Sequence, residues 1–159
     1  MGEAKSSYTL STSDVELIIE GILMGAIEKT LPDAATCIKD IETTVNDVET
    51  AVADFKKETF NGVKAGIEMV GTVVKQLSTD LTDCKKITDD VSELEKMAKN
   101  FSSPWKFAYH VGKDLIVDGT QIFHEIDDAI KQYDAAQYYK FGEDVGTALS
   151  MVLVGEDDH

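Results

Sequence analysis

Residues 37–57 read CIKDIETTVNDVETAVADFKK, and this stretch decides the fold class. Its apolar side chains recur at alternating spacings of three and four residues. They are Ile38, Ile41, Val45, Val48, Val52 and Phe55. This spacing places them along one face of an α-helix, while charged and amide side chains occupy the other face. The stretch therefore predicts an amphipathic helix that packs against a neighbour.

A second apolar stripe follows after a change of phase near residues 57–59. Its members are Phe60, Val63, Ile67, Val70, Val74, Leu77, Leu81 and Cys84. Two stripes joined in this way predict an antiparallel helical hairpin. Because neither Gly nor Pro lies between Lys56 and Phe60, a kinked continuous helix stays open as the alternative.

The rest of the chain continues the helical pattern. A first helix, apolar on most sides, is predicted to begin at the capping box Ser13-Asp14-Val15-Glu16. A long seam is predicted to end near Asp134 and contains Trp105, Ala108, Gly112, Leu115, Gly119, Ile122, Ile126, Ala129 and Tyr133. We predict an all-α fold, an antiparallel bundle of five or six amphipathic helices over residues 13–155. Residues 1–12 are expected to be disordered, and residues 156–159 to form an acidic tail.

Glycines inside the predicted helices are the unusual feature, because each costs about 1 kcal/mol relative to alanine. Three pairs have GxxxG spacing and a fourth pair is one heptad apart. They are Gly21 and Gly25, Gly62 and Gly66, Gly142 and Gly146, and Gly112 and Gly119. In lipid this spacing marks helix dimers, but these helices carry too many charges to span a bilayer. We therefore interpret the glycines as close helix crossings inside a bundle.

Cys37 and Cys84 are the two cysteines of the chain. If the chain reverses near Glu58, Cys37 and Cys84 return to about the same level of the hairpin. We therefore predict a disulfide between them, which would indicate an oxidising compartment. Two free thiols in a cytosolic bundle are the alternative. Asn100-Phe101-Ser102 is an N-glycosylation sequon at a predicted interhelical turn. Both features favour a secreted or luminal location over a cytoplasmic one.

Several short motifs resemble a known group of proteins. They are Cys37-Ile-Lys-Asp40, Asp54-Phe55-Lys-Lys, Asp83-Cys84-Lys, the stretch Ser102-Ser-Pro-Trp-Lys-Phe-Ala-Tyr-His-Val-Gly-Lys-Asp114, and Phe141-Gly-Glu-Asp-Val-Gly146. This layout is similar to small secreted, cysteine-paired helical-hairpin proteins of ciliate protists, and the similarity covers most of the chain after Pro32. The group has no known activity, so the resemblance implies no functional residues.

The charge balance excludes some partners. The chain has 30 Asp and Glu residues against 15 basic ones, all of them Lys, for a net charge of -15. Nucleic acids and anionic membrane surfaces need clustered positive charge, so neither is an expected partner. The longest nearly uncharged apolar stretches are far shorter than the roughly 20 residues of a transmembrane helix.

Few groupings could carry chemistry. The pairs His110/Asp114 and His124/Asp128 have the spacing that can chelate a metal weakly. The two histidines would stand about 21 Å apart on one helix, so we interpret them as part of a solvated polar face. No EF-hand, P-loop, GxSxG or GxGxxG motif occurs. We predict no catalytic residue, no cofactor and no metal site.

The sequence thus predicts a non-enzymatic, soluble helical bundle with a structural or protein-interaction role. The expected partner is another protein or a second copy of the chain. The alternative is a carrier that holds a hydrophobic ligand or lipid in a cavity between amphipathic helices. The aromatic residues from Trp105 to Phe141, at helical spacing, are expected to lie mostly in the core.

Overall fold

The computed structural model of the chain describes residues 10–29, 31, 34–85, 87 and 91–157, without the side chains of Asp118 and residues 153–157. It contains six α-helices and one 3-10 helix, and no strand lies among the described residues. The α-helices are α1 (Thr12–Ile27), α2 (Ile41–Phe55), α3 (Phe60–Thr82), α4 (Ser92–Lys99), α5 (Pro104–Asp134) and α6 (Tyr138–Asp157), and the 3-10 helix spans Ala34–Cys37. The predicted all-α fold is confirmed.

Helix α1 begins two residues before the predicted position. Ser11 is its N-cap, and the Ser11 hydroxyl accepts the Asp14 N–H while the Asp14 carboxylate accepts the Ser11 N–H, both at 3.1 Å. Leu10 and Val15 are both buried on either side of this cap, in the positions of a hydrophobic staple. The Leu10 N–H also donates to the Glu49 carboxylate at 3.1 Å. Burial of Leu10 therefore fixes the N-cap of α1 at Ser11 rather than Ser13.

The two ends of the chain differ from their predicted bounds. Of the segment expected to be disordered, residues 10–12 belong to the fold, and residues 1–9 lie outside the described residues. Of the predicted acidic tail, Glu156 and Asp157 continue α6, and residues 158–159 lie outside the described residues.

Helices α2 and α3 form the predicted antiparallel hairpin, so the kinked-helix alternative is wrong. α2 ends at Phe55, and Thr59 caps α3 by accepting the Gly62 N–H at 3.0 Å. Between them Glu58 has a φ of 53°, which reverses the chain without Gly or Pro. Gly62 and Gly66 then let α3 approach the end of α2, because a Cβ on Gly66 would overlap the Phe55 ring.

Helices α1 and α6 cross through four glycines. A Cβ on Gly21 or Gly25 would overlap the carbonyl oxygen of Tyr139 or Glu143, and one on Gly142 or Gly146 would overlap that of Ile18 or Ile22. Residue numbers rise together on both helices, so α1 and α6 run parallel. Each of these carbonyl oxygens faces the Cα of a glycine, as in the weak Cα–H···O hydrogen bonds that form between closely packed helices. The bundle thus combines an antiparallel α2–α3 hairpin with a parallel crossing of α1 and α6.

The first turns of α5 have a different phase from the predicted seam. Trp105 and Tyr109, expected in the core, are exposed, and Phe107 and Val111 are buried instead. Phe107 packs edge-on against Phe101 with ring centroids 4.6 Å apart. Its ring also occupies the space left by the missing side chain of Gly71. Packing of the Phe107 ring beside Gly71 determines which side of the first turns of α5 is buried. From Leu115 to Ala129 the buried residues follow the predicted seam.

Candidate interaction surface

The predicted disulfide between Cys37 and Cys84 is present, with the two Cα atoms 5.7 Å apart. Cys37 ends the 3-10 helix and Cys84 follows α3. The bond therefore closes the open end of the α2–α3 hairpin, opposite the turn at Glu58. The alternative of two free thiols is wrong.

Polar contacts reinforce the same end of the hairpin. The buried Asp80 carboxylate accepts the Lys39 N–H at 3.2 Å and the Gln76 side-chain N–H at 3.0 Å. Lys39 Nζ lies 2.9 Å from Asp83, and its hydrogen bond to that carboxylate raises the pKa of Lys39. The segment that carries Cys37 is thus joined to α3 by both covalent and polar bonds.

Four of the six exposed large hydrophobic residues that the structure describes lie on the first half of α5. We call Trp105, Tyr109, Ile116 and Val117 the α5 face. Their exposed fractions are 77% for Trp105 and Ile116 and 64% for Tyr109 and Val117. All four lie on the side of α5 that points away from Phe107 and Leu115. Exposed patches of this kind mark interaction surfaces when they are contiguous.

Charge on and around the α5 face differs from the rest of the chain. Lys106 and Lys113 are the charged residues among its neighbours on the same helix. The one carboxylate between Pro104 and Val117 is Asp114, which is buried. In a chain with a net charge of -15, Lys106 and Lys113 are the described charged residues from Pro104 to Val117 that are not buried. Asp118, the residue after Val117, is also acidic, and its side chain lies outside the described part of the chain.

The histidine pairs do not form a shared polar stripe as predicted. His124 is exposed and lies 3.5 Å from Asp128, in agreement with a solvated local pair. Asp114, however, is buried, because the rotated start of α5 turns it toward the protein interior. No group of three or more His, Cys, Asp or Glu side chains able to hold a metal occurs among the described residues.

Gly112 and Gly119 do not form a close crossing like that of α1 and α6. A Cβ on Gly112 would meet only the flexible end of Lys64, at 3.3 Å. One on Gly119 would meet the Phe123 ring of its own helix at 3.6 Å, an ordinary contact distance. Gly112 instead lies beside the α5 face, between Tyr109 and Ile116.

Asn100, the predicted glycosylation residue, follows α4 directly. It is half-buried, and its side-chain N–H donates to the Met97 carbonyl at 3.1 Å. Attachment of a glycan to this nitrogen requires that its hydrogen bond to the Met97 carbonyl be broken. Glycosylation at Asn100 stays a prediction.

An apolar cleft bears on the carrier hypothesis. It has a volume of about 320 Å³ and lies between the α2–α3 turn and α5. It is lined by Phe55, Glu58, Val63, Phe123, Ile126, Asp127 and Ile130. Ligand pockets for drug-sized molecules start near this volume, so the carrier role stays a prediction.

The α5–α6 contact contains a pair of carboxyl groups. Burial, followed by a hydrogen bond with Glu125, raises the pKa of Asp144 to about 7. The charges of Glu125, Asp128 and Glu143 act in the same direction. Asp144 is therefore protonated in the folded chain at a pH where it is ionised in the unfolded chain.

This shift predicts that stability falls as pH rises from about 4 to about 7. Between these values the folded chain binds the proton more tightly than the unfolded chain, so each rise in pH favours unfolding. We expect Asp144→Asn to remove much of this fall and to stabilise the fold at pH 8 by about 1 kcal/mol, a value reduced for solvent screening of a partly exposed group. Urea denaturation at pH 5 and pH 8 measures it.

The matched control is Asp127→Asn, which removes the same charge from the exposed side of α5, where Asp127 pairs with Lys131 at 3.3 Å. We expect this variant to show the same pH dependence as the unchanged chain. If the stability of Asp144→Asn falls with pH as much as that of the unchanged chain, the raised pKa of Asp144 is not the cause of the fall.

The fold and the surface define a class of protein, an acidic all-α bundle closed by a disulfide and presenting an apolar helix face. The chain belongs to the SctB-like family, described as secreted protein B-like, whose model matches residues 1–154. No curated protein and no solved structure matches the chain. The family description agrees with the expected secreted location. It does not bear on the resemblance to ciliate proteins, which stays a prediction.

The apolar stretches of the sequence are too short to predict a transmembrane helix. In the described part of the chain, no helix combines the length and the apolarity needed to cross a bilayer.

Proposed function

We propose that the chain is a non-enzymatic secreted protein that acts by binding another protein chain through the α5 face. The observation that carries this proposal is the exposure of Trp105, Tyr109, Ile116 and Val117 on one side of one helix. Together they leave on the order of 500 Å² of apolar surface in water. A bundle that only needed to fold would place polar residues there, as α5 does after Val117.

Large aromatic residues are well suited to this role. Trp and Tyr bury much area with few rotatable bonds, and they are enriched among the residues that dominate binding energy. The hydrophobic-carrier alternative rests on the cleft beside Phe55. We rank protein binding above it because the α5 face is open to solvent along three turns, whereas Phe55 and Ile126 in the cleft are already buried.

Site-specific cross-linking tests the proposal. A photo-reactive benzophenone residue at position 116, in the chain made by its producing cells, should give an adduct of higher mass. The same residue at His124, which lies further along the exposed side of α5, serves as the matched control and should give none. Absence of adducts from position 116, or equal adducts from both positions, would contradict binding through the α5 face.

A further inference from the structure

We propose that a groove along α3 binds a small amphipathic carboxylate, a single apolar chain that ends in one carboxylate group, as in a fatty acid. This site is separate from the α5 face and from the cleft beside Phe55, so it adds a second binding function to the proposed one. Three features of the groove favour such a ligand, namely its lining, its charge and its length.

The lining is apolar at the base of the groove and polar along its edge. The groove lies between α3 and the start of α5 and has a volume of about 490 Å³. It is lined by Asp54, Ala65, Glu68, Met69, Thr72, Lys75, Phe101, Pro104 and Phe107. Phe101 and Phe107 are buried, Met69 is half-buried, and Thr72 and Lys75 are exposed. Apolar walls with a few polar groups are typical of ligand sites.

The charges of the groove favour one anionic group. Each of its two acidic residues already has a lysine of its own, since Asp54 lies 3.4 Å from Lys57 and Glu68 lies 2.6 Å from Lys64. Lys75, in contrast, forms no ion pair with any described residue. No acidic residue lies three or four positions from Lys75 on α3, where ion pairs form along a helix. The groove therefore has one uncompensated lysine, and a single carboxylate would complete its charge balance.

The length of the groove limits the size of the ligand. Ala65 and Lys75 lie at opposite ends of the α3 part of the lining, about 15 Å apart at 1.5 Å per residue. An extended hydrocarbon chain of about ten to twelve carbons covers this distance. With its carboxylate at Lys75, such a chain would pass Thr72 and Met69. The net charge of -15 opposes the anion little, because physiological salt screens exposed charges beyond about 8 Å.

Isothermal titration calorimetry of the full disulfide-bonded chain with decanoate and with 1-decanol tests the inference. The two probes have the same hydrocarbon chain length and differ in charge. For decanoate we expect one site with a dissociation constant on the order of 10 to 100 µM. Decanol should bind roughly threefold to tenfold more weakly, because it cannot pair with Lys75. Absence of decanoate binding, or equal binding of the two probes, would overturn the inference.

Two substitutions with matched controls test the site. Lys75→Gln should weaken decanoate binding to the level of decanol, whereas Lys140→Gln, the same change on α6, should leave it within about twofold. Thr72→Trp fills the groove and should weaken both probes by more than about tenfold, whereas Thr120→Trp on α5 should leave both within about twofold. All four residues are exposed, so folding is expected to be unchanged, which circular dichroism verifies. A Lys75→Gln variant that still prefers decanoate would contradict the role of Lys75.

The methionine methyl groups report where the ligand lies. Met69 lines the groove, whereas Met24 and Met151 belong to α1 and α6. In methyl NMR spectra, decanoate should shift the Met69 signal and leave the signals of Met24 and Met151 in place. Shifts at Met24 and Met151 without one at Met69 would place the ligand elsewhere and overturn the inference. Cross-linking at position 116 tests the α5 face separately, so either proposal can fail while the other stands.

Discussion

Replacing Gly25 with alanine is expected to destabilise the fold by about 3 kcal/mol or more. The added Cβ would overlap the Glu143 carbonyl oxygen and lie 2.8 Å from the Thr147 backbone nitrogen. Both atoms belong to the α6 backbone, which cannot move aside as a flexible side chain can. Helices α1 and α6 would have to separate along their shared crossing, with loss of packing around Ile18 and Ile22. Overpacking of this kind usually costs about 1 to 3 kcal/mol, and backbone contact places it at the upper end.

Gly119→Ala is the matched control for this prediction. Both glycines lie within helices and have ordinary negative φ angles. A Cβ on Gly119 meets the Phe123 ring at 3.6 Å, an ordinary contact. Alanine also favours the helix by about 1 kcal/mol relative to glycine. We therefore expect Gly119→Ala to be neutral or stabilising, although it makes the same chemical change.

Urea denaturation and thermal melting measure the stability of the Gly25→Ala and Gly119→Ala variants. For a chain of this length, a loss of about 3 kcal/mol lowers the melting temperature by roughly 6 to 12 °C. A Gly25→Ala variant that is as stable as the unchanged chain would show that α1 and α6 do not approach closely at this position. Equal destabilisation by both substitutions would point to a general effect of side chains on these helices.

The sequence identifies helices well where one apolar stripe faces one polar face. The stretch from Ile41 to Phe55 is such a case, although Ile38, the first member of the predicted stripe, lies before the Asp40 cap and outside α2. Val48, Val52 and Phe55 of that stripe are buried, as the alternating spacing predicts. The hairpin and its disulfide follow from this, because the return of α3 brings Cys84 back beside Cys37. Local periodicity and chain reversal are enough to predict both.

The start of α5 shows where periodicity fails. Its first four turns carry two apolar stripes, one through Trp105 and Ile116 and the other through Phe107 and Val111. Spacing alone cannot say which stripe is buried. The buried stripe is determined by the space beside Gly71, into which the Phe107 ring packs. Gly71 lies more than 30 residues earlier in the sequence than Phe107. Sequence reasoning misses the candidate surface because it assigns Trp105 to the core.

Pairing between distant helices is also beyond local patterns. The GxxxG spacing of Gly21 and Gly25 marks a close approach but does not name the partner helix or its direction. Because α1 and α6 are joined through the whole intervening chain, no short loop requires them to be antiparallel. Gly142 and Gly146 have the same spacing as Gly21 and Gly25. This match could have indicated that α6 is the partner of α1, since two helices with such glycine pairs can pack backbone against backbone.

Loss of the Cys37–Cys84 bond is expected to destabilise the chain by about 4 kcal/mol. The bond closes a loop with a sequence separation of 47 residues, and the cost follows from the entropy that the unfolded chain regains when the loop is opened. The double variant Cys37→Ser/Cys84→Ser tests this without leaving a free thiol. Urea denaturation of the oxidised chain and the variant gives the difference.

The same double variant treated with dithiothreitol is the control for reduction. Dithiothreitol should lower the stability of the unchanged chain to that of the variant, and it should leave the variant unaffected. If the oxidised chain and the variant unfold at the same urea concentration, the bond adds no stability to the folded state.

Loss of the bond should also act unevenly along the hairpin. At the open end, Asp80 and Asp83 still hold Lys39, but these contacts are partly in water. At the closed end, Gly62 and Gly66 keep α3 against the buried Phe55. We therefore expect hydrogen exchange in the double variant to rise most in residues 37–45 and 76–84 and least in residues 51–66. A uniform rise would mean that the hairpin opens as one unit. An uneven rise would show that the bond protects the end that the glycines do not reach, so that this end depends on an oxidising environment.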